Sequence, residues 1–195
     1  MTTTLPGDAQ SARLGLLFVL WSFPLAAVGI FVTFSVNHAP TVGLIGLLVV
    51  ALGTAITRIA AVFALSNSTR VWRWANGSAA LASLIVSGLA AAALVAGPSL
   101  GTLTLLVATW AAVVAVCDIL LSLNSTQPAA IRDFRVLALA GGALAVIEGA
   151  LPLTSVYAVG ILGAYGIVTC VYLVIAGLTL RFDSATATSE GKPKS

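Results

Sequence analysis

The chain alternates between long apolar runs and short polar connections. Six runs have about the 20-residue length that an α-helix needs to cross the hydrocarbon core of a bilayer. They cover residues 14–36, 42–65, 79–96, 100–123, 136–151 and 156–180. The third and fifth are the shortest, and we expect both to extend into flanking residues, the fifth from near Ile131. The pattern therefore predicts an all-α membrane protein with six transmembrane helices.

Composition supports this class of protein. Hydrophobic residues make up 59% of the chain and charged residues only 8%, against about 25% charged in soluble domains. Mean hydropathy is +1.10, and no water-soluble fold could bury so much apolar surface. The net charge of +3 comes from bases in loops and tails, whereas a nucleic-acid binder concentrates them on one folded face. The expected partner is therefore the lipid bilayer, not nucleic acid.

The basic residues predict the orientation, because Lys and Arg accumulate on the cytoplasmic side of a membrane. They lie before the first run, between the second and third, between the fourth and fifth, and after the sixth: Arg13, Arg70, Arg73, Arg132, Arg135, Arg181, Lys192 and Lys194. The other three turns, residues 37–40, 97–99 and 152–155, contain no Lys, Arg, Asp or Glu. Both termini are thus predicted to be cytoplasmic, in an inner (plasma) membrane.

The outer turns also indicate an internal repeat. Each contains Pro, and Ser or Thr precedes the apolar run that follows it. Thr41, Ser99 and Ser155 are 58 and 56 residues apart (99 − 41 and 155 − 99), which suits a unit of two bilayer-length helices. We predict three hairpins, 14–65, 79–123 and 131–180, within a domain covering 14–181. The polar tails 1–13 and 182–195 are predicted to be disordered.

The repeated hairpin resembles the HdeD-like family of six-helix bacterial inner-membrane proteins. The resemblance is carried by the Pro-containing outer turns, by the stretch 52–59 with its Thr-Arg-Ile sequence, and by the stretch 141–149, which Pro152 follows. It implies a non-enzymatic membrane protein associated in one branch of the family with acid resistance. It also leaves open assembly with further copies or within a larger membrane complex.

Two ionisable residues lie within predicted spans near their cytoplasmic ends. Arg58 is roughly 10 Å and Asp118 about 7–8 Å from those ends, at 1.5 Å per residue. Charges inside a membrane are unfavourable and are the usual functional candidates. Because the two hold nearly matching places in the first and second hairpins, we predict that they pair. The pair would either fix the hairpins together or line a wet cavity that faces the cytoplasm. The remaining alternative is that both residues simply face lipid head groups.

Glu148 and His38 are the candidates on the outer half. Glu148 lies about 6 Å from the outer end of the fifth run, and His38 lies in the first outer turn. Removal from water favours a neutral carboxyl group, and histidine titrates near neutrality. The two residues would respond to external acid if they act together. Otherwise Glu148 is a hydrogen-bonded structural residue and His38 a solvated turn residue.

Other chemistry has little support in the sequence. There is no His-Glu-x-x-His, Gly-x-Ser-x-Gly or phosphate-binding Gly-x-x-x-x-Gly-Lys motif. Cys117 and Cys170 lack the spacing of a metal or redox site and are predicted to be packing residues. We therefore expect no catalytic site, cofactor or metal. The alternative function is a small-solute or proton-coupled transport component.

Aromatic and small residues predict packing. Trp72 and Trp74 flank Arg73 and are typical of interfacial anchors, whereas Trp110 is predicted to lie in the core. Helices in lipid associate where small residues let backbones approach. Two such faces are predicted, one formed by Gly160, Gly163 and Ala164 and the other by Ala145 and Gly149.

Overall fold

The structure is a computed structural model that describes residues 6–65 and 69–190, and the side chains of 10–65 and 69–182. These residues form six helices and no strand: α1 (Pro6–Phe34), α2 (Pro40–Ala64), α3 (Arg70–Ala96), α4 (Leu100–Leu123), α5 (Pro128–Ala150) and α6 (Ser155–Glu190). Five of them, all except α5, are long and apolar enough to cross a membrane. The predicted all-α class is therefore confirmed, and five of the six predicted runs lie in helices that are long and apolar enough to span a membrane.

Helix α5 differs because it contains four charged residues, Arg132, Asp133, Arg135 and Glu148. It begins at Pro128, earlier than the apolar run at 136, just as α3 begins at Arg70, earlier than 79. Both short runs thus extend at the ends where arginines lie. Crossing of the membrane by α5 stays a prediction.

The helix ends have local causes. Thr69 caps α3 by accepting a hydrogen bond from the Trp72 amide (3.2 Å), and Ser99 caps α4 by accepting one from Thr102 (3.1 Å). Pro40 and Pro128 begin α2 and α5, where a missing N–H does no harm. Gly97 ends α3 with φ +120°, which L side chains rarely adopt.

Helices α1 and α6 also extend into the predicted tails. Residues 6–13 and 183–190 are helical, because each continues a strongly apolar helix with residues that tolerate helical backbone. Residues 1–5 and 191–195 lie outside the described residues.

Packing follows a regular order around the bundle. The most extensive contacts join α1 to α6, α2 to α3 and α4 to α5, while α2, α4 and α6 also contact one another. The apolar core runs through the bundle and includes Leu25, Leu47, Val107, Phe134 and Leu162. Consecutive helices within each predicted hairpin are in contact, but the largest interfaces lie between hairpins.

Helices α1 and α6 approach closely through glycines. A Cβ added to Gly15 would lie 2.5 Å from the Gly177 carbonyl oxygen, and one added to Gly177 would lie 2.6 Å from the Gly15 oxygen. Gly163, from the predicted small-residue face, packs against Val32 of α1. A Cβ added to Gly160, from the same face, would have no neighbour within 4 Å. A Cβ added to Gly149 would lie 3.3 Å from the Ala108 Cβ of α4. The first and last helices therefore close the bundle.

Candidate functional site

Arg58 and Asp118 form an ion pair between α2 and α4. Their side chains are only 4% and 1% exposed. Each lies on the face of its helix that points into the bundle, among buried neighbours such as Thr54 and Ala61 on α2 and Val114 and Leu121 on α4. The structure thus brings the two predicted candidates together in the interior.

Two further side chains complete the environment of the guanidinium group. Asn76 of α3, 1% exposed, accepts a hydrogen bond from Arg58 Nη1 (3.3 Å) and donates one from Nδ2 to the Trp72 carbonyl (3.0 Å). The Arg58 Cζ atom lies 4.4 Å from the ring centroid of Trp21 on α1, within the range of a cation–π contact. Trp21 Nε1 in turn donates to Thr54 Oγ1 (2.9 Å).

These residues, Trp21, Thr54, Arg58, Asn76 and Asp118, are called the arginine cluster below. It joins α1, α2, α3 and α4 at one level of the bundle. The opposite charges neutralise each other, the amide orients the guanidinium group, and the indole covers it. Removal of either charge would leave the other buried without compensation, which destabilises proteins by about 3–5 kcal/mol.

Cavities lie on one side of the arginine cluster. A cavity of about 20 Å³ is lined by Arg58, Asn76, Trp21 and Trp72, and this volume suits about one water molecule. Arg58 Nε has no hydrogen-bond partner among the described residues. A buried donor of this kind favours a polar occupant.

A larger cavity, of about 200 Å³, adjoins the small one and shares Leu14 and Trp72 with it. We call it the polar cavity. It lies where the α2–α3 and α4–α5 turns meet the start of α1, and its polar lining consists of Gln10, Thr69, Asn124, Ser125, Thr126 and Gln127. None of the described residues that line it is charged. The polar cavity therefore has a neutral, hydrogen-bonding lining among the described residues.

Trp72 corrects one prediction. It is 6% exposed and lines both cavities, so it is a core residue and not an interfacial anchor. Trp74 is 66% exposed, as an anchor would be, and Trp110 is buried with Nε1 donating to Ser83 (3.1 Å). The difference arises because Trp72 is on the face of α3 that also carries Asn76.

Asp133 was missed as a buried group. It is 1% exposed, and its Oδ1 accepts hydrogen bonds from Tyr172 (2.8 Å) and Arg132 (3.3 Å). In the sequence it looks like part of an arginine-rich loop. Its separation of 15 residues from Glu148 is close to four helical turns, which places both on the buried face of α5; this spacing was the available signal.

Glu148 and His38 are not joined. Glu148 is 3% exposed, and neither carboxylate oxygen has a hydrogen-bond partner among the described residues. His38 is partly exposed in the α1–α2 turn. The neighbouring Gly149 packs on α4, not on the first hairpin. No hydrogen bond among the described residues therefore joins Glu148 to His38, as a joint response to acid would require.

The cysteines are unpaired. Cys117 is buried, with Sγ 3.6 Å from Ser78 Oγ, and Cys170 is partly buried. Within the described ranges no group of three or more His, Cys, Asp or Glu side chains is placed to hold a metal ion.

Comparison with family models, with curated proteins and with solved structures gave no match. The assignment of this chain to a class of protein therefore rests on its fold and its composition. Five long apolar helices around an apolar core are consistent with a multi-pass integral membrane protein in contact with lipid.

Proposed function

We propose that this chain is a non-enzymatic, six-span protein of a bacterial plasma membrane, of the HdeD-like type, with both termini cytoplasmic. The observation that carries this proposal is the burial of the arginine cluster between packed helices. Arg58 and Asp118 are almost fully removed from solvent, as expected for a structural link between hairpins.

The sixth span would be α5. Its 23 residues reach about 35 Å at 1.5 Å per residue, which is enough for a hydrocarbon core of about 30 Å. Arg132 is 66% exposed at one end, Asp133 is hydrogen-bonded to Tyr172, and Glu148 lies near the other end. With α5 included, all arginine-bearing turns fall on one side of the membrane, in agreement with the positive-inside rule.

The packing order supports the proposed repeat. If α1–α2, α3–α4 and α5–α6 are equivalent units, the interfaces α2–α3, α4–α5 and α6–α1 are also equivalent, and these are the most extensive ones. The mutual contacts of α2, α4 and α6 then form a common centre. Asn76 and Asp133, 57 residues apart (133 − 76), both face the interior, as equivalent positions should.

Cysteine accessibility in intact cells tests this topology. In a Cys117→Ala/Cys170→Ala background, new cysteines at Ala39 and Thr154 should react with a membrane-impermeant thiol reagent, and one at Thr126 should react only after permeabilisation. Thr126 and Thr154 flank α5, so equal reactivity would contradict its crossing of the membrane. The reverse pattern at all three sites would overturn the orientation.

The physiological role we propose is a contribution to acid or envelope stress tolerance, alone, as a homo-oligomer or within a larger membrane complex. It is supported by the family resemblance. A deletion strain should survive acid less well than its parent, and wild-type protein should restore survival. Equal survival of the two strains would remove this role.

A small-solute transport component is the second candidate. It is favoured by the polar cavity on the proposed cytoplasmic side, which shares Leu14 and Trp72 with the small cavity beside Arg58. Proteoliposomes that contain the protein should then equilibrate small solutes faster than liposomes prepared without it, and Arg58→Leu should abolish the difference.

A further inference from the structure

The geometry points to the polar cavity as a binding site for a small uncharged polyol. This inference does not depend on the proposed function, because binding can be measured on purified protein in detergent, whatever its orientation in a membrane.

The size of the cavity sets the size of the ligand. Its volume is about 200 Å³, somewhat larger than an engineered cavity of about 150 Å³ that accepts benzene. A molecule of about four to six carbons therefore fits.

The lining sets the chemistry of the ligand. Asn124 Nδ2 already donates to the Leu120 carbonyl (2.8 Å) and Ser125 Oγ to the Leu121 carbonyl (2.7 Å), so Asn124 Oδ1 and the lone pairs of Ser125 Oγ remain as acceptors. Thr69 Oγ1 accepts from the Trp72 amide and keeps its hydroxyl hydrogen for donation. Hydroxyl groups of a ligand, which both donate and accept, match this mixture.

The apolar part of the lining suits the carbon chain of a polyol. Leu14, Leu65, Trp72 and Ala130 supply this surface, and C–H groups pack well against an indole ring. A fully apolar ligand would cover Asn124 Oδ1 and the lone pairs of Ser125 Oγ without donating a hydrogen bond to them, which is unfavourable. An ion would meet no counter-charge among the described residues that line the cavity.

Arg58 provides the independent indication that the site takes an oxygen atom. Its side chain is 4% exposed, lines the small cavity beneath the polar cavity, and has an Nε atom without a partner. Because Asp118 already neutralises its charge, Nε is a donor in a neutral environment. A water molecule in the small cavity would satisfy that donor, and a ligand hydroxyl in the adjoining polar cavity would hydrogen-bond to that water.

Equilibrium binding of tritiated xylitol to purified protein tests the proposal. Wild-type protein should bind it saturably, and unlabelled erythritol or sorbitol should compete. Asn124→Leu removes an amide and should weaken binding about tenfold or more, the effect of losing a good hydrogen bond. Ala130→Leu fills the cavity and should weaken binding at least as much, because it takes the space of the ligand. Asn37→Leu is the matched control, since Asn37 is exposed in the α1–α2 turn, and it should bind as wild type does.

Three results would overturn the proposal: no saturable xylitol binding by folded wild-type protein, equal binding by Ala130→Leu, or competition by benzyl alcohol or glycine betaine but not by sorbitol. Thermal unfolding of each variant shows whether it is folded. If Ala130→Leu is unfolded, Asn124→Leu decides the outcome.

Discussion

Two regions hold the bundle together by opposite means. Where α1 meets α6, glycines allow carbonyl oxygens of the facing backbone to approach, with no side chain at Gly15 or Gly177. Where α1 to α4 meet, the arginine cluster fills the space with a charged pair, an amide and an indole. In lipid there is no hydrophobic force between helices, so both close packing and internal polar contacts are effective ways of joining them.

The difference concerns specificity. Close backbone packing tolerates no added atom but does not depend on protonation or on a particular partner group. The arginine cluster depends on each member, because a buried charge or polar group that loses its partner is unfavourable. We therefore expect added side-chain volume to destabilise the glycine interface, and loss of a single charge to destabilise the arginine cluster.

The largest effect is expected from a single change of charge. Asp118→Leu leaves Arg58 buried without a counter-ion and should lower the free energy of unfolding by about 3–5 kcal/mol. Thermal unfolding of detergent-solubilised protein measures this loss. Arg58→Leu should act similarly, and the double variant should recover part of the stability. Strictly additive losses would show that the two charges are not coupled.

The glycine interface should show a large effect of volume. Gly15→Leu places a side chain against the Gly177 carbonyl and should destabilise the protein by about 1–3 kcal/mol or more, the usual range for overpacking. Gly88→Leu is the matched control, because no atom lies within 4 Å of a Cβ added there. Similar unfolding temperatures for the two variants would contradict the close approach of α1 and α6.

A smaller effect is expected where the arginine cluster loses one contact but keeps its charges. Trp21→Phe removes the hydrogen bond to Thr54 (2.9 Å) and weakens the cation–π contact, which together should destabilise by about 1–3 kcal/mol. Thr54→Val removes only the hydrogen bond. If Thr54→Val were as damaging as Trp21→Phe, the contact between the indole and Arg58 would contribute nothing.

The smallest effect is expected at Glu148, which belongs to neither region. Its carboxylate oxygens have no partner among the described residues, so Glu148→Gln should leave stability unchanged or raised at neutral pH. Any difference should shrink as the pH falls, because protonation removes the charge from the wild-type side chain. Unfolding temperatures measured from pH 4 to 8 test this. A clear loss of stability at neutral pH would reveal a partner for the carboxylate.

The sequence predicted the helices well, because a continuous apolar run of sufficient length has few other structures available to it. Arg58 and Asp118 were predicted as partners because an isolated charge in such a run is unfavourable. The sequence did not single out Asn76, Trp21 and Trp72 as members of the site. Amides and indoles are common in such helices, and only the rotation of each helix about its own axis shows which of them face inward.

Helix α5 and the order of packing were harder to predict. Charges at both ends of α5 shorten its apolar run. Asp133 lies between arginines in the sequence, and its partner Tyr172 is 39 residues away, on α6. The close contact of α1 with α6 depends on Gly15 and Gly177, which are 162 residues apart (177 − 15). Glycine-rich helices are common in membranes, so composition alone does not pair them.

The contact between α1 and α6 has a consequence for biogenesis. A ribosome delivers α1 to the membrane before α6, so the surface around Gly15 has no partner until α6 has been made. Helices α2 to α5 can associate in the order of synthesis, but the bundle closes only once α6 has been made. A nascent chain that is cut short before α6 would expose this surface to lipid and to the proteases that remove unfinished membrane proteins.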